Sequence, residues 1–262
     1  MLFASDLDRT LIYSKKFIDK DNEQVKLVEK KGYKKISYML NSSMEMLKIL
    51  SDKLLFVPVT TRSVEQYRRI EIFQKQLKPK YYIVCNGGNI FVDGKLDEDW
   101  NRLINNKLNN ECLAIDEVIS EFNKIKSGLD INIVRKVDNL FFYCILNDAI
   151  LNGISHRFSE WLKKNNWSMI LNGRKLYFIP KYVTKNRAVK YIAEREGVKN
   201  IITSGDSLLD YDMASISKLF ISPKHGDINN LDDVDKSIVK FTKKSGIFAS
   251  QEILEIVLKE VI

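Results

Sequence analysis

Asp6 and Asp8 stand two residues apart where a short apolar run, Leu2-Phe3-Ala4, gives way to polar residues, and Thr10 follows at once. Carboxylates at the end of a buried strand are costly, because an unpaired carboxylate removed from water takes up a proton rather than stay charged. A positive group is therefore expected beside them. Two readings of the pair remain open at this point. One is an acidic turn or helix start with no reaction to perform; the other is a divalent-metal site in which one aspartate is a nucleophile and its neighbour moves protons.

Three further stretches carry groups that suit the second reading. Thr60 ends the apolar run Leu54-Leu55-Phe56-Val57-Pro58-Val59, Lys185 opens a helical stretch, and Asp206 and Asp210 follow Gly205 behind the run Asn200-Ile201-Ile202-Thr203-Ser204. Singly they have ordinary explanations: a cap, a solvated charge, an anion favoured in a first helical turn. Lys185 says more. A cation at a helix N-terminus opposes the macrodipole at a cost of about 0.3 to 1 kcal/mol, and a phosphate lying between would remove that conflict. Mg²⁺ takes oxygen ligands, commonly one or two carboxylates with substrate phosphate and water. Asp6 and Asp206 are the expected direct ligands, with Asp210 in the outer shell. The Thr60 hydroxyl and Lys185 would help neutralise a phosphoryl group under attack, which leaves Asp8 to move protons.

The elements that must position these groups fall into two rhythms. Residues 11–21 read as polar and irregular, and residues 25–29 and 33–38 read as a hairpin around Lys31-Gly32, a flap close to the acidic pair. Ser42-x-x-Glu45 is a capping box expected to open an amphipathic helix containing Met46, Leu47, Ile49 and Leu50. A strand over 54–59 follows, although Pro58 favours an edge position, and Ser63-x-x-Gln66 caps the next helix. From Tyr81 the pattern changes to hairpins alternating with helices. Turns fall at Asn86-Gly87-Gly88-Asn89, Asp93-Gly94 and Asn172-Gly173, strands at 131–135, 140–146 and 168–179, and helices near 111–126 and 155–164. The strand–helix alternation then resumes, with a helix over 185–196 stopped by Gly197, strands at 200–204 and 218–221, a helix from Asp210 and a last one opened by Ser250. The predicted fold is α/β, a doubly wound, Rossmann-like parallel-sheet core (1–86 and 182–262) with an inserted α+β domain (87–181).

At 262 residues two domains are expected, and 45% hydrophobic with 29% charged residues is the composition of a folded protein. No apolar stretch approaches the roughly 18 residues of a membrane span, and Asp6 and Asp8 interrupt the first run too early for a signal peptide; a cytoplasmic protein is expected. Cys85, Cys112 and Cys144 have no metal-ligand spacing and read as reduced core thiols, while His156 and His225 are isolated in sequence. The net charge of +8 is scattered and not gathered in a run; it would suit nucleic acid or an anionic small molecule and does not choose between them, but no aromatic-interleaved basic motif is present, so nucleic acid is not the expected partner.

Asp6-Leu7-Asp8-Arg9-Thr10, Thr60, Lys185 and Gly205-Asp206-x-x-x-Asp210 resemble, in order and context, the four motifs of the haloacid dehalogenase superfamily of phosphohydrolases. The insert between the second and third motifs, with Asn86-Gly87-Gly88 at its entrance, is similar to the cap of the Cof-type and sucrose-phosphate-phosphatase-like branch. The resemblance implies that Asp6 is the nucleophile that becomes aspartyl-phosphate. It implies that Asp8 is the acid and base, with its backbone carbonyl on the metal. Thr60, with Thr61, and Lys185 would clamp the phosphoryl group; Asp206 and Asp210 would be metal acids; Arg62 and Asn86 would meet substrate. Arg9 and Thr61 stand where glycines are usual in this branch, Leu209 replaces an asparagine, and the hairpin between the first two motifs is longer than expected.

The expected activity is Mg²⁺-dependent hydrolysis of a small phosphorylated metabolite such as a sugar phosphate, with Arg135, Lys136, Arg174 and Lys175 as candidate holders of an anionic substrate in the cap. A phosphosugar mutase would use the same aspartate pair. A basic protein that binds RNA or a protein partner without catalysis would need neither metal nor Asp6.

Overall fold

The computed structural model describes residues 1–18, 24–126, 129–147 and 156–261; part of the irregular stretch expected over 11–21, and the start of the helix expected at Ser155, lie outside them. The chain begins with β1 (Leu2–Ser5), every residue of it buried. The hairpin β2 (Val25–Lys31) and β3 (Lys34–Leu40) follows, then α1 (Asn41–Lys53), β4 (Leu55–Pro58), α2 (Val64–Arg68) and α3 (Glu71–Lys75). Next come β5 (Tyr81–Val84), β6 (Asn89–Val92), β7 (Lys95–Leu96), α4 (Glu98–Glu111), α5 (Ile115–Ile125), β8 (Ile131–Val137) and β9 (Phe141–Leu146). The remainder is α6 (His156–Lys164), β10 (Trp167–Asn172), β11 (Lys175–Pro180), α7 (Lys185–Arg195), β12 (Ile201–Ser204), α8 (Leu208–Tyr211), β13 (Leu219–Ser222), β14 (Val239–Phe241) and α9 (Ile247–Lys259).

Two units divide these elements, one of residues 1–96 and 185–262 and the other of residues 97–184. In the first, five parallel strands run in the order β14-β13-β12-β1-β4. Strand β1 is flanked on both sides in the same register, Ser5 opposite Ser204 on β12 and opposite Pro58 on β4. The chain steps outward from β1 in opposite directions, to β4 and to β12, the arrangement that opens a crevice at the carboxyl ends of the strands. Pro58 fits because of strand phase. Leu55 and Val59 donate inward to Met1 and Ser5, whereas Thr60 donates outward to Ile83, so the missing N–H at position 58 faces away from β1 on the edge strand of this sheet.

Helix α7 buries Lys185, Ala188, Val189, Ile192 and Ala193, an i, i+3, i+4, i+7, i+8 stripe. Lys185 is the first member of a core-facing row, and that places its ammonium inside. Strands β5, β6 and β7 form an antiparallel sheet whose second turn, Asp93-Gly94, has both residues at positive φ, as a two-residue hairpin requires. Strands β6 and β7 stay with β5 in the first unit, whereas the boundary expected from sequence fell between β5 and β6, at 87.

Several element starts differ from expectation. Helix α1 begins at Asn41, whose amide donates to the Gln24 carbonyl, so Ser42 and Glu45 lie inside the helix and form no cap. Helix α9 begins at Ile247 after Gly246, and Ser250 is internal, its hydroxyl donating to the Ile247 carbonyl and paired with Ser43. Helix α8 starts before Asp210, behind Ser207. The Ser63–Gln66 box is present with both of its bonds.

In the second unit the antiparallel sheet β10-β11-β9-β8 carries Phe142, Cys144, Leu146, Leu176 and Phe178 on one face, packed against Val118 and Phe122 of α5 and Phe158 and Leu162 of α6. Helix α4, capped by Asp97 through the Trp100 amide, had no counterpart in the sequence reading. Cys85 and Cys144 are buried free thiols, and Cys112 is only half-buried. Phe142 stacks on Phe178 at 4.5 Å between ring centres and both are fully buried. Phe142→Ala should therefore lower stability by about 3 to 5 kcal/mol, read as a shift in the urea unfolding midpoint.

Candidate active site

The carboxyl ends of β1, β4 and β12 bring the separated motifs to one edge. Asp6 donates its amide to Ser204, continuing the register past the end of β1. Its side chain is 7% exposed. One carboxylate oxygen accepts from Lys185 Nζ at 2.6 Å and the other from the Thr10 hydroxyl at 3.1 Å. Lys185, 1% exposed, donates also to Asp210 Oδ1 at 2.5 Å. The second Asp210 oxygen accepts from the amide and hydroxyl of Ser207, at 2.9 and 2.7 Å, which closes the first turn of α8.

Burial and the Asp210 charge push the Asp6 carboxyl up to about 7 against the pull of Lys185. Asp206 is held well above the usual carboxylate range by burial and by Asp210 and Asp6. Burial alone would lower the Lys185 ammonium, but Asp210 and Asp6 overcome it and raise its pKa. A buried cation bonded to two carboxylates stays charged.

Gly205 is required by this packing: a Cβ there would lie 2.2 Å from Asp210 Cβ and 2.5 Å from its Cγ. Gly226 is similarly confined, beneath the Asp206 carbonyl that accepts from the Asp227 amide at 2.7 Å.

Asp6, Asp206 and Asp210 offer oxygens that all lie within 4.8 Å of one another. Arg9 Nε approaches Asp206 Oδ2 at 3.2 Å, but without hydrogen-bond alignment, so this buried oxygen has no hydrogen-bond partner among the described residues. An all-oxygen donor set with one oxygen left over and two carboxyls raised by burial and by repulsion from neighbouring carboxylates fits a hard divalent cation.

The other expected residues are placed as follows. Thr60 is buried at the end of β4 with its hydroxyl accepting from the Arg62 amide at 3.2 Å, and Thr61 is half-buried beside it. Asn86 sits at φ 56° in the turn after β5, its amide donating to the Thr60 carbonyl at 3.0 Å. Arg62 is turned toward Asp8, gripping both carboxylate oxygens at 2.6 and 2.7 Å. Within the second unit Arg135, Lys136, Arg174 and Lys175 are all exposed; Lys136 pairs with Asp116, and Lys175 lies over the Tyr143 ring.

His225, read as isolated, contributes to the site. Gly246 donates to its Nδ1, so Nε2 carries the ring proton and donates to the Arg9 carbonyl at 2.9 Å. Arg9 in return donates to the His225 carbonyl at 3.1 Å. A contact across 216 residues of sequence leaves no local signal.

The sequence matches the family of sucrose-6F-phosphate phosphohydrolases over residues 1–221. Among solved structures, the sucrose-phosphatase of Synechocystis sp. PCC6803, in complex with sucrose and phosphate, superposes with TM-score 0.72 at 17% identity, covering 99% of this chain and 97% of that one. The haloacid dehalogenase-like hydrolase yhjK of Bacillus subtilis superposes at 0.55 and 17%, covering 100% and 92%. A trehalose-6-phosphate phosphatase related protein does so at 0.55 and 15%, covering 99% and 98%. No curated protein sequence matches the chain. Fold and site together are those of a haloacid dehalogenase-type phosphatase. Within that class the chain belongs to the sucrose-6F-phosphate phosphohydrolase family. No helix among the described residues is long and apolar enough to cross a membrane.

Gly205→Ala should displace Asp210 from Lys185. It is expected to lower stability by about 1 to 3 kcal/mol and phosphatase activity with it, measured by chemical unfolding and phosphate release.

Proposed function

We propose that the protein is a Mg²⁺-dependent phosphomonoesterase that removes phosphate from a small phosphorylated sugar through a phospho-Asp6 enzyme. The observation that supports this best is the buried cluster in which Lys185 bridges Asp6 and Asp210 while an Asp206 oxygen keeps no hydrogen-bond partner among the described residues. A surface acidic patch would not be dehydrated in this way.

In this reading an Asp6 oxygen attacks phosphorus in line, the bond from phosphorus to the sugar oxygen breaks, and Asp8 gives its proton to the departing alkoxide. Asp8, now a base, takes a proton from water as that water attacks the phospho-aspartate, and phosphate leaves with Asp6 restored. Lys185 and the Thr60 hydroxyl, with Thr61 beside it, hold phosphoryl oxygens. Asp6, Asp206 and the Asp8 carbonyl would hold Mg²⁺, with Asp210 behind them, and the ion supplies neutralisation of the phosphoryl charge. Residues 97–184 act as a cap that selects the leaving group, with Arg135, Lys136, Arg174 and Lys175 available to an anionic substrate. Family membership, and the sucrose and phosphate in the Synechocystis enzyme, favour a sugar phosphate over a nucleotide.

The test is phosphate release from a panel of sugar phosphates, nucleotides and an aryl phosphate, with and without Mg²⁺. Release should depend on the metal, vanish on chelation and return on readdition. Asp6→Asn should reduce it by about a thousandfold or more in a protein that remains folded. Undiminished release from Asp6→Asn would overturn the proposal.

A further inference from the structure

The hairpin of β2 and β3 carries a buried glutamate that the reaction as described does not use. Strand alternation would turn Val28 and Glu29 to opposite faces, but the pairing slips between Leu27 and Glu29, and both side chains are buried. Such a bulge re-aims a side chain, and bulges gather beside active sites. Glu29 is 1% exposed. Its Oε2 accepts from the Ser37 hydroxyl across the hairpin at 2.7 Å and from Arg62 Nη1 at 2.8 Å, and its Oε1 accepts from Arg69 Nε at 3.2 Å. The strand is tied to the following helices by a bridge between Glu29 and Ile70.

Arg62 is thus held from two sides. Nη1 is fixed on Glu29, while Nε and Nη2 make the paired bonds to Asp8. The guanidinium side chain is 11% exposed and the Asp8 side chain 50% exposed, so the more open partner is the carboxylate read as meeting substrate. A guanidinium tethered on one side only would divide itself between Asp8 and an incoming phosphate, both of which fit its fork. Tethered by Glu29, it has one orientation, and Asp8 is set by it.

We infer that Glu29 is a positioning residue for Asp8, acting through Arg62, so that the β2–β3 hairpin belongs to the reaction machinery. The inference rests on the reading of Asp8 as the group that protonates the leaving oxygen. Orientation errors of this kind cost rate more than binding. They should also depend on the leaving group, because a sugar alkoxide must be protonated as its bond to phosphorus breaks, whereas p-nitrophenolate leaves without a proton.

The experiment compares native protein, Glu29→Gln and Asp8→Asn in single-turnover release of the leaving group from a hexose phosphate and from p-nitrophenyl phosphate, with circular dichroism to establish folding. Glu29→Gln is expected to slow the sugar phosphate about 10- to 100-fold, with the half-saturating concentration little changed and the aryl phosphate slowed far less. Asp8→Asn should show the same selectivity, more strongly. Equal losses on both substrates, or none, in Glu29→Gln beside a selective Asp8→Asn would overturn the role of Glu29 and leave the acid–base reading standing. A non-selective Asp8→Asn would overturn that reading itself. If Glu29→Gln does not fold, Ser37→Ala, which removes the bond that orients Glu29 Oε2, must show the selective loss in smaller size, and its absence would overturn the inference.

Discussion

The bridge from Lys185 to Asp6 and Asp210 is the constraint on which the core unit depends. An ammonium taken out of water is tolerated only when its partners are fixed and its donors used. Every neighbouring feature serves that end. The α7 stripe delivers the side chain inward, Gly205 leaves room for Asp210, and Ser207 fastens the Asp210 oxygen that faces away from the lysine. Three carboxylates against two cations, Lys185 and Arg9, leave one negative charge in excess. Burial, and after it repulsion among the carboxylates, raises the Asp6 and Asp206 carboxyls, and a cation placed among their oxygens would relieve both.

Strand register converts that local chemistry into geometry. Asp6 and Lys185 are 179 residues apart in sequence, and their approach is fixed by four-residue strands, each hydrogen-bonded along its length. A slip of one residue in a strand turns every side chain to the other face. With both faces of β1 buried, such a slip would exchange the side chains packed on its two sides while misplacing Asp6 at the edge. The core and the site are thus specified by the same pairing.

Legibility in the sequence followed the range of the interaction. The strands leading to Asp6, Thr60 and Asp206, the Ser63–Gln66 cap and the turn at Asp93-Gly94 rest on neighbours in the chain, and local pattern sufficed; the hairpin expected to turn at Asn172-Gly173 turns one residue later, at Gly173-Arg174. Ser42 and Ser250 misled because a serine with a suitable neighbour looks the same inside a helix as before one; what decides is where the preceding strand or glycine releases the chain. Helix α4 is polar, with only Trp100 and Ile104 buried, too sparse a row to register. The Glu29–Arg62–Asp8 chain was illegible for a sharper reason. Alternation in β2 groups Glu29 with Val25 and Leu27, and only the bulge, which depends on the partner strand, turns it to the face of Ser37.

Arg9 shows how a departure from the usual residue is accommodated. Its φ of 62° is the left-handed conformation that glycine adopts without cost and that costs another residue on the order of 1 kcal/mol. The backbone is held there from both sides, the amide donating to Ile12 and the carbonyl accepting from His225. Burial lowers the pKa of His225, which keeps the imidazole neutral and leaves Nδ1 free to accept from Gly246. A loop that glycine would hold by permissiveness is therefore held here by hydrogen bonds. The side chain gained in exchange is a guanidinium beside Asp206, close enough to offset its charge. Because it lacks hydrogen-bond alignment, the Asp206 oxygen keeps its capacity to coordinate.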